Sequence, residues 1–130
     1  MKEFKIRIAA AHEHIDRYGH VNYLELPKLY EFAQDRLLEE HGFSWLVLEE
    51  KYGIRSVVRS LGVEYFRQLF EGDEVIVTTS VDFGNTRMVF EQYMEKGEEM
   101  SSKMKTVVVA VDSKGNKVPW PEEFKEAFKG

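Results

Sequence analysis

The chain has 130 residues, a formal charge of −5 from 18 basic and 23 acidic residues, and no cysteine. That length suits one domain with a single core, here spanning 1–130, and the missing cysteine excludes disulfide frameworks, thiolate nucleophiles and cysteine-ligated zinc together. A mildly acidic surface of mixed sign speaks against nucleic acid as a partner, because phosphate binding needs a basic face.

The amino terminus lacks the long apolar run and cleavage site of a signal peptide, and no stretch approaches the length that spans a bilayer. The expected location is cytoplasmic. Residues 3–10, EFKIRIAA, alternate Phe4, Ile6 and Ile8 against Lys5 and Arg7, the period of a half-buried strand. The next stretch, HEHIDRYGHVN (12–22), holds three of the four histidines, an aspartate and a glycine.

A helix is predicted to run to about His41, with Leu26, Leu29, Tyr30, Ala33, Leu37 and Leu38 on one stripe and Gly42 as its stop. Asn22 is a good N-cap, and Glu25, three residues on, completes a capping-box pattern. Pro27 removes a backbone donor, so the main helix is expected to begin near Pro27, after a short distorted turn. Residues 43–53 read as a short helix capped by Ser44, with Trp45, Leu46 and Leu48 as core or as wall of a pocket.

From there the period changes. Residues 54–66, 73–83, 86–95 and 100–112 are β-branched or aromatic runs separated by EGD, GN and KGEE, which is turn chemistry for antiparallel connections. EEFKEAFKG (122–130) reads as a small terminal helix. The order is an α+β meander. One helix covers only one face of such a sheet, so outer apolar positions are expected to need another subunit. An edge strand as apolar as TVVVAV (106–111) carries the same implication. The sequence predicts an obligate oligomer.

Three readings fit residues 12–22. In the first, His12, His14 and Asp16 share one side of an extended strand, His20 folds back across a turn, and the four hold a metal. In the second, the stretch is a polar loop. In the third, Asp16 faces a helix start where Tyr23 and Leu24 carry unsatisfied N–H groups at the positive end of the dipole. Such donors polarise a carbonyl, and a carboxylate beside them attacks it or activates water, the minimal equipment for acyl transfer.

Residues 16–34, DRYGHVNYLELPKLYEFAQ, resemble the D-x-x-G-H-V-N-N-x-x-Y-x-x-x-x-E-x-A-R signature of hotdog-fold acyl-CoA thioesterases of the 4-hydroxybenzoyl-CoA type. Residues 63–77, VEYFRQLFEGDEVIV, resemble that family's second signature, Y-x-x-P-x-x-x-G-D-x-x-x-V, with Gln68 in place of its proline. The resemblance implies a five-stranded antiparallel sheet wrapped around a long central helix, doubled by dimerisation or assembled as a tetramer.

It also implies roles. Asp16 matches the catalytic aspartate, nucleophile or general base. Tyr23 matches the position whose backbone N–H binds the thioester oxygen. Gly19 fits the tight turn, Asn22 the family asparagine, and His20 the motif histidine, an orienting or substrate contact. Glu31 matches the helix glutamate, read as structural. The expected activity is hydrolysis of an acyl-CoA or acyl-carrier-protein thioester, with no cofactor and no metal, because a thioester is already activated. Arg55, Arg59, Arg67 and Lys103 are the candidate contacts for nucleotide phosphates. The competing functions are a non-catalytic acyl-thioester binding protein of the same fold and a metal-binding protein using His12, His14, Asp16 and His20.

Overall fold

The computed structural model describes residues 3–129. Five strands, β1 (Glu3–Ala9), β2 (Arg55–Tyr65), β3 (Glu74–Phe83), β4 (Arg87–Lys96) and β5 (Glu99–Val111), accompany three helices. These are α1 (Leu26–Glu40), α2 (Trp45–Tyr52) and α3 (Glu122–Ala127); Gly130, the end of the predicted terminal helix, lies outside the described residues.

All six predicted stripe residues of α1 are buried. The helix ends as its sequence predicts. Gly42, at φ 80°, donates to the Glu39 carbonyl (3.0 Å) while Phe43 donates to Leu38 (2.9 Å), a Schellman stop that needs a residue tolerating positive φ. Ser44 caps α2 by accepting the Val47 N–H at 3.0 Å.

The start of α1 differs from the capping-box expectation. The regular helix begins at Leu26, with Pro27 in its first turn, and the Asn22 side chain accepts the Leu24 N–H (2.8 Å), the bond an N-cap makes, one turn ahead of the regular helix. Glu25 pairs with Lys28 at 2.8 Å, while the Asn22 N–H it was expected to meet donates to the His14 carbonyl at 2.9 Å. With Pro27 unable to donate, residues 22–25 close as a tight turn feeding the helix.

The sheet is antiparallel throughout, in the order β1-β3-β4-β5-β2. Direct cross-strand partners share a face, so the register divides the sheet cleanly. Inward lie Ile6–Val77, Val77–Met94, Thr79–Gln92, Phe90–Thr106 and Met88–Val108. One core cluster joins Leu29, Tyr30 and Ala33 of α1 to Ile8, Val77, Met94 and Met104, one from each of four strands, so the sheet curls around the helix. A second joins Leu37 and Leu38 to α2, α3, Phe90, Val108 and Trp120.

Between the two clusters runs a buried polar layer. Gln34 donates to Gln92 Oε1 (2.9 Å), and Gln92 donates to Thr79 Oγ1 (2.9 Å) and to the Tyr30 carbonyl (3.1 Å). The Tyr30 hydroxyl and Ser102 Oγ share a 2.7 Å hydrogen bond, and burial pushes the Tyr30 phenol up to about 12. Every group removed from water here has a partner, which is what makes such a layer tolerable.

One expectation about exposed apolar surface needs correction. TVVVAV lies in β5, hydrogen-bonded on both sides and buried along its whole length. A continuous apolar run is the pattern of an interior strand buried on both faces, so apolarity alone did not mark an edge. The outer face is apolar at one end (Val57, Val89, Val107, Val109) and again at Ile76, Tyr93 and Met100. Elsewhere it carries Lys5, Thr78, Glu91, Lys105, Lys103 and Glu64, with the last two paired at 3.4 Å. The uncovered apolar surface is β2, where Val58 is 57% and Leu61 49% exposed. Beyond β5, this strand has no partner among the described residues.

Candidate active site

Residues 12–22 fold as a tight loop. His12–His14 form a 3-10 turn, closed by bonds from His14 to Ala11 and from Ile15 to His12, both 3.0 Å. The chain then doubles back through an Ile15–Val21 bridge, and Asp16 sits at the centre of the reversal. Its Oδ1 accepts the backbone N–H groups of Tyr18 (2.9 Å) and His20 (3.2 Å), and its own N–H donates to the His20 carbonyl (2.8 Å). Gly19, at φ 83°, donates to the Asp16 carbonyl at 3.1 Å and lets the loop close. Oδ2 of Asp16 has no hydrogen-bond partner among the described residues.

The second stretch singled out in the sequence forms the opposite wall. Val21 donates to the Leu69 carbonyl (2.8 Å), and the His20 ring packs edge-on against Phe70 at 4.9 Å between centroids. Asp73 pins this loop: its Oδ2 accepts the Phe70 N–H (2.8 Å) and meets Lys96 at 3.0 Å. Burial opposes the Asp73 charge, but those two partners win and hold its carboxyl below the ordinary range. The Gly72–Asp73 pair of the second signature thus has a mechanical job.

Asp16, His20, Val21, Tyr23, Leu26, Tyr65, Arg67, Gln68, Leu69 and Ser101 are among the residues lining the resulting cleft, of about 340 Å³. The Tyr23 N–H has no hydrogen-bond partner among the described residues, whereas Leu24, expected to be equally free, is satisfied by Asn22. Of the sequence-predicted site residues, Asp16, His20 and Tyr23 reach the cleft. Gly19 and Asn22 shape the turns behind it. Of the candidate phosphate contacts only Arg67 lines it, paired with Glu99 at 3.0 Å; Lys103 lies on the outer face and Arg55 pairs with Glu49 at 3.7 Å. Leu48 is core, Leu46 is exposed, Trp45 packs on Phe90 and Trp120, and none of the three lines this cleft.

The four residues of the metal reading are not gathered. The 3-10 turn replaces the extended strand that would have aligned them. His12 points to Glu71 (2.8 Å), whose hydrogen bond and charge raise the imidazole pKa, and His14 Nδ1 is buried without a partner among the described residues. Among the described residues no group of three or more His, Cys, Asp or Glu side chains is arranged to hold a metal ion.

Two features escaped the sequence reading. Ser101 lines the cleft, whereas in the sequence it is only one residue of the strand run 100–112. Tyr65 begins the second signature, and its hydroxyl donates to the Tyr23 carbonyl at 2.6 Å.

The sequence profile of the thioesterase-like superfamily matches residues 10–128. The chain belongs to that superfamily. Thioester hydrolysis is accordingly its general chemistry, and the chain is a thioester hydrolase. No curated protein matches the sequence. Among solved structures it is similar to a 1,4-dihydroxy-2-naphthoyl-CoA thioesterase from Synechocystis (TM-score 0.91, 14% identity, covering 98% of this chain and 96% of that one). It also resembles a DHNA-CoA thioesterase from Staphylococcus aureus (0.89, 22%, 98% and 89%). A third is a thioesterase from Thermus thermophilus complexed with coenzyme A and zinc (0.79, 27%, 95% and 90%). The superfamily member described here has the hotdog architecture its two signatures imply. No helix among its described residues is long and apolar enough to cross a membrane.

Proposed function

We propose that this thioesterase hydrolyses acyl-CoA thioesters in the cleft between residues 16–23 and 65–69, with Asp16 as nucleophile or general base and the Tyr23 N–H polarising the carbonyl. The observation that supports it is that Asp16 and Tyr23 both line one cleft and each carries a group without a partner among the described residues, Asp16 Oδ2 and the Tyr23 N–H, in a stretch where every other backbone N–H from His14 to Leu24 except that of Arg17 is bonded. An N–H at the entrance of α1 is aimed where negative charge develops on a thioester oxygen.

Two routes use this geometry. As nucleophile, Asp16 Oδ2 adds to the thioester carbon, the C–S bond breaks, the thiolate leaves and takes a proton, and water hydrolyses the anhydride. As general base, Asp16 takes the proton of a water whose oxygen adds to the carbon; collapse then expels the thiol. Both regenerate the carboxylate and need no redox partner. His20, held by Phe70, is placed to contact the substrate, and Gly19 and Asn22 keep the two turns in register.

The test is hydrolysis of a panel of aromatic and aliphatic acyl-CoAs with thiol detection, led by hydroxylated aromatic thioesters of the kind named for the Synechocystis and S. aureus proteins. An acyl-carrier-protein thioester belongs in the same panel. Tight binding of acyl-CoA with no hydrolysis of any member favours the binding-protein alternative. Activity is expected to survive EDTA, and the purified protein to lack stoichiometric zinc or iron. Loss with EDTA and recovery with one metal promotes the His12, His14, Asp16, His20 reading.

The cleft is completed, on this account, by a second copy. The open edge of β2 exposes Val57, Val58, Leu61 and Tyr65, whereas the opposite edge, β1, is shorter and carries Glu3, Lys5 and Arg7. Charged, short edges resist pairing and long apolar ones invite it. Sedimentation is expected to show a dimer or tetramer at micromolar concentration, and Leu61→Lys to shift it toward monomer with lower activity. A stable wild-type monomer removes the two-subunit cleft.

A further inference from the structure

Resting on the reading of the Tyr23 N–H as the carbonyl donor, we propose that Tyr65 is a positioning residue: its hydroxyl holds residue 23 so that this N–H stays aimed into the cleft. Two peptide planes meet at Tyr23, and each plane is rigid. The first contains the Asn22 carbonyl and the Tyr23 N–H, which point in opposite directions. The Asn22 carbonyl accepts from Glu25 (2.9 Å) and Leu26 (3.1 Å) at the helix entrance, so the Tyr23 N–H is turned away from the helix.

The second plane contains the Tyr23 carbonyl and the Leu24 N–H. One end is tied locally, Leu24 to Asn22 Oδ1 at 2.8 Å. The other is tied to the sheet by Tyr65, 42 residues away, through the 2.6 Å bond. Tyr65 is itself anchored: it pairs with Ser102 at the end of β2, and the next two residues, Phe66 and Arg67, both donate to the Ser101 carbonyl, at 2.9 and 3.0 Å. The sheet thereby fixes the turn that presents the donor. Without the hydroxyl, the Tyr23 carbonyl has no other donor among the described residues, and the second plane is held only at its Leu24 end, about which it can rock. Partial burial, with the neighbouring Tyr23 phenol adding to it, raises the Tyr65 phenol pKa, which keeps the proton it must donate.

The probe is Tyr65→Phe, which keeps the ring and removes only the hydroxyl. Two readouts decide it. On the best thioester of the panel, kcat is expected to fall about tenfold with KM nearly unchanged, since small misplacement of an aligned group costs turnover more than binding. Independently of any substrate, ¹⁵N relaxation is expected to show lower order parameters at Tyr23 and Leu24 in the variant, with the rest of α1 unaltered. Order parameters equal to wild type overturn the proposal, and so does an unchanged kcat, whether or not the melting temperature drops. If the wild type hydrolyses no thioester, the functional reading falls, and the order parameters still decide what Tyr65 does.

Discussion

Asp16→Asn is expected to lower kcat by roughly a hundredfold or more, the scale of losing a positioned base or nucleophile. The structure makes this substitution unusually clean. Oδ1 serves the loop by accepting the Tyr18 and His20 N–H groups, and an asparagine oxygen can accept both. Oδ2 serves nothing in the loop, and it is the oxygen that the amide replaces. Fold and assembly should survive, checked by circular dichroism and sedimentation. KM should change much less than kcat, because the cleft walls and the Tyr23 N–H remain. Wild-type turnover by Asp16→Asn on every active thioester would make Asp16 a turn-forming residue and nothing more.

The largest stability effect is expected at Gln92, which is 3% exposed at the centre of the polar layer. Gln92→Leu fills nearly the same volume but strips three hydrogen bonds at once. Gln34 Nε2 is left with a 3.5 Å approach to Thr106, and Thr79 Oγ1 loses its donor. Stranding buried polar groups costs about 2–4 kcal/mol in total, seen as a lower urea midpoint at unchanged slope. Removing both glutamines, as Gln34→Leu with Gln92→Leu, should be less destabilising than the sum of the two, because each single change strands a partner that the pair removes. A Gln92→Leu midpoint equal to wild type would contradict this reading of the layer.

Much of the fold was legible because periodicity reports burial directly. The stripe from Leu26 to Leu38, the Ser44 cap and the Gly42 stop are local patterns, and local forces suffice to realise them. Strand order was not legible in that way. The run 106–111 has the continuous apolarity of an interior strand, but which strands flank it is set by the path of the whole chain; only resemblance supplied the wrapped sheet. Gln34 shows the complementary blind spot. It falls on the buried side of α1, but a polar residue breaks an apolar stripe, and its partners Gln92 and Thr106 lie 58 and 72 residues away.

The site divides along the same line. Asp16, Gly19 and the turn at Asn22 are encoded within a dozen residues, and the loop forms from them. What Tyr65 and Gly72–Asp73 do depends on where β2 and the following loop are carried in space. Only half of the capping box formed, for a reason outside the helix: the Asn22 N–H that Glu25 was expected to meet is taken by the His14 carbonyl, while the regular helix begins at Leu26, beside Pro27 as expected.

The most direct test of the account is a crystal structure with a non-hydrolysable acyl-CoA analogue in which a methylene replaces the thioester sulfur. The analogue carbonyl oxygen is expected at about 2.9 Å from the Tyr23 nitrogen, a normal hydrogen-bond distance, with the carbonyl carbon facing Asp16 Oδ2. An analogue bound with its carbonyl turned away from both groups, or in another cavity, would contradict it.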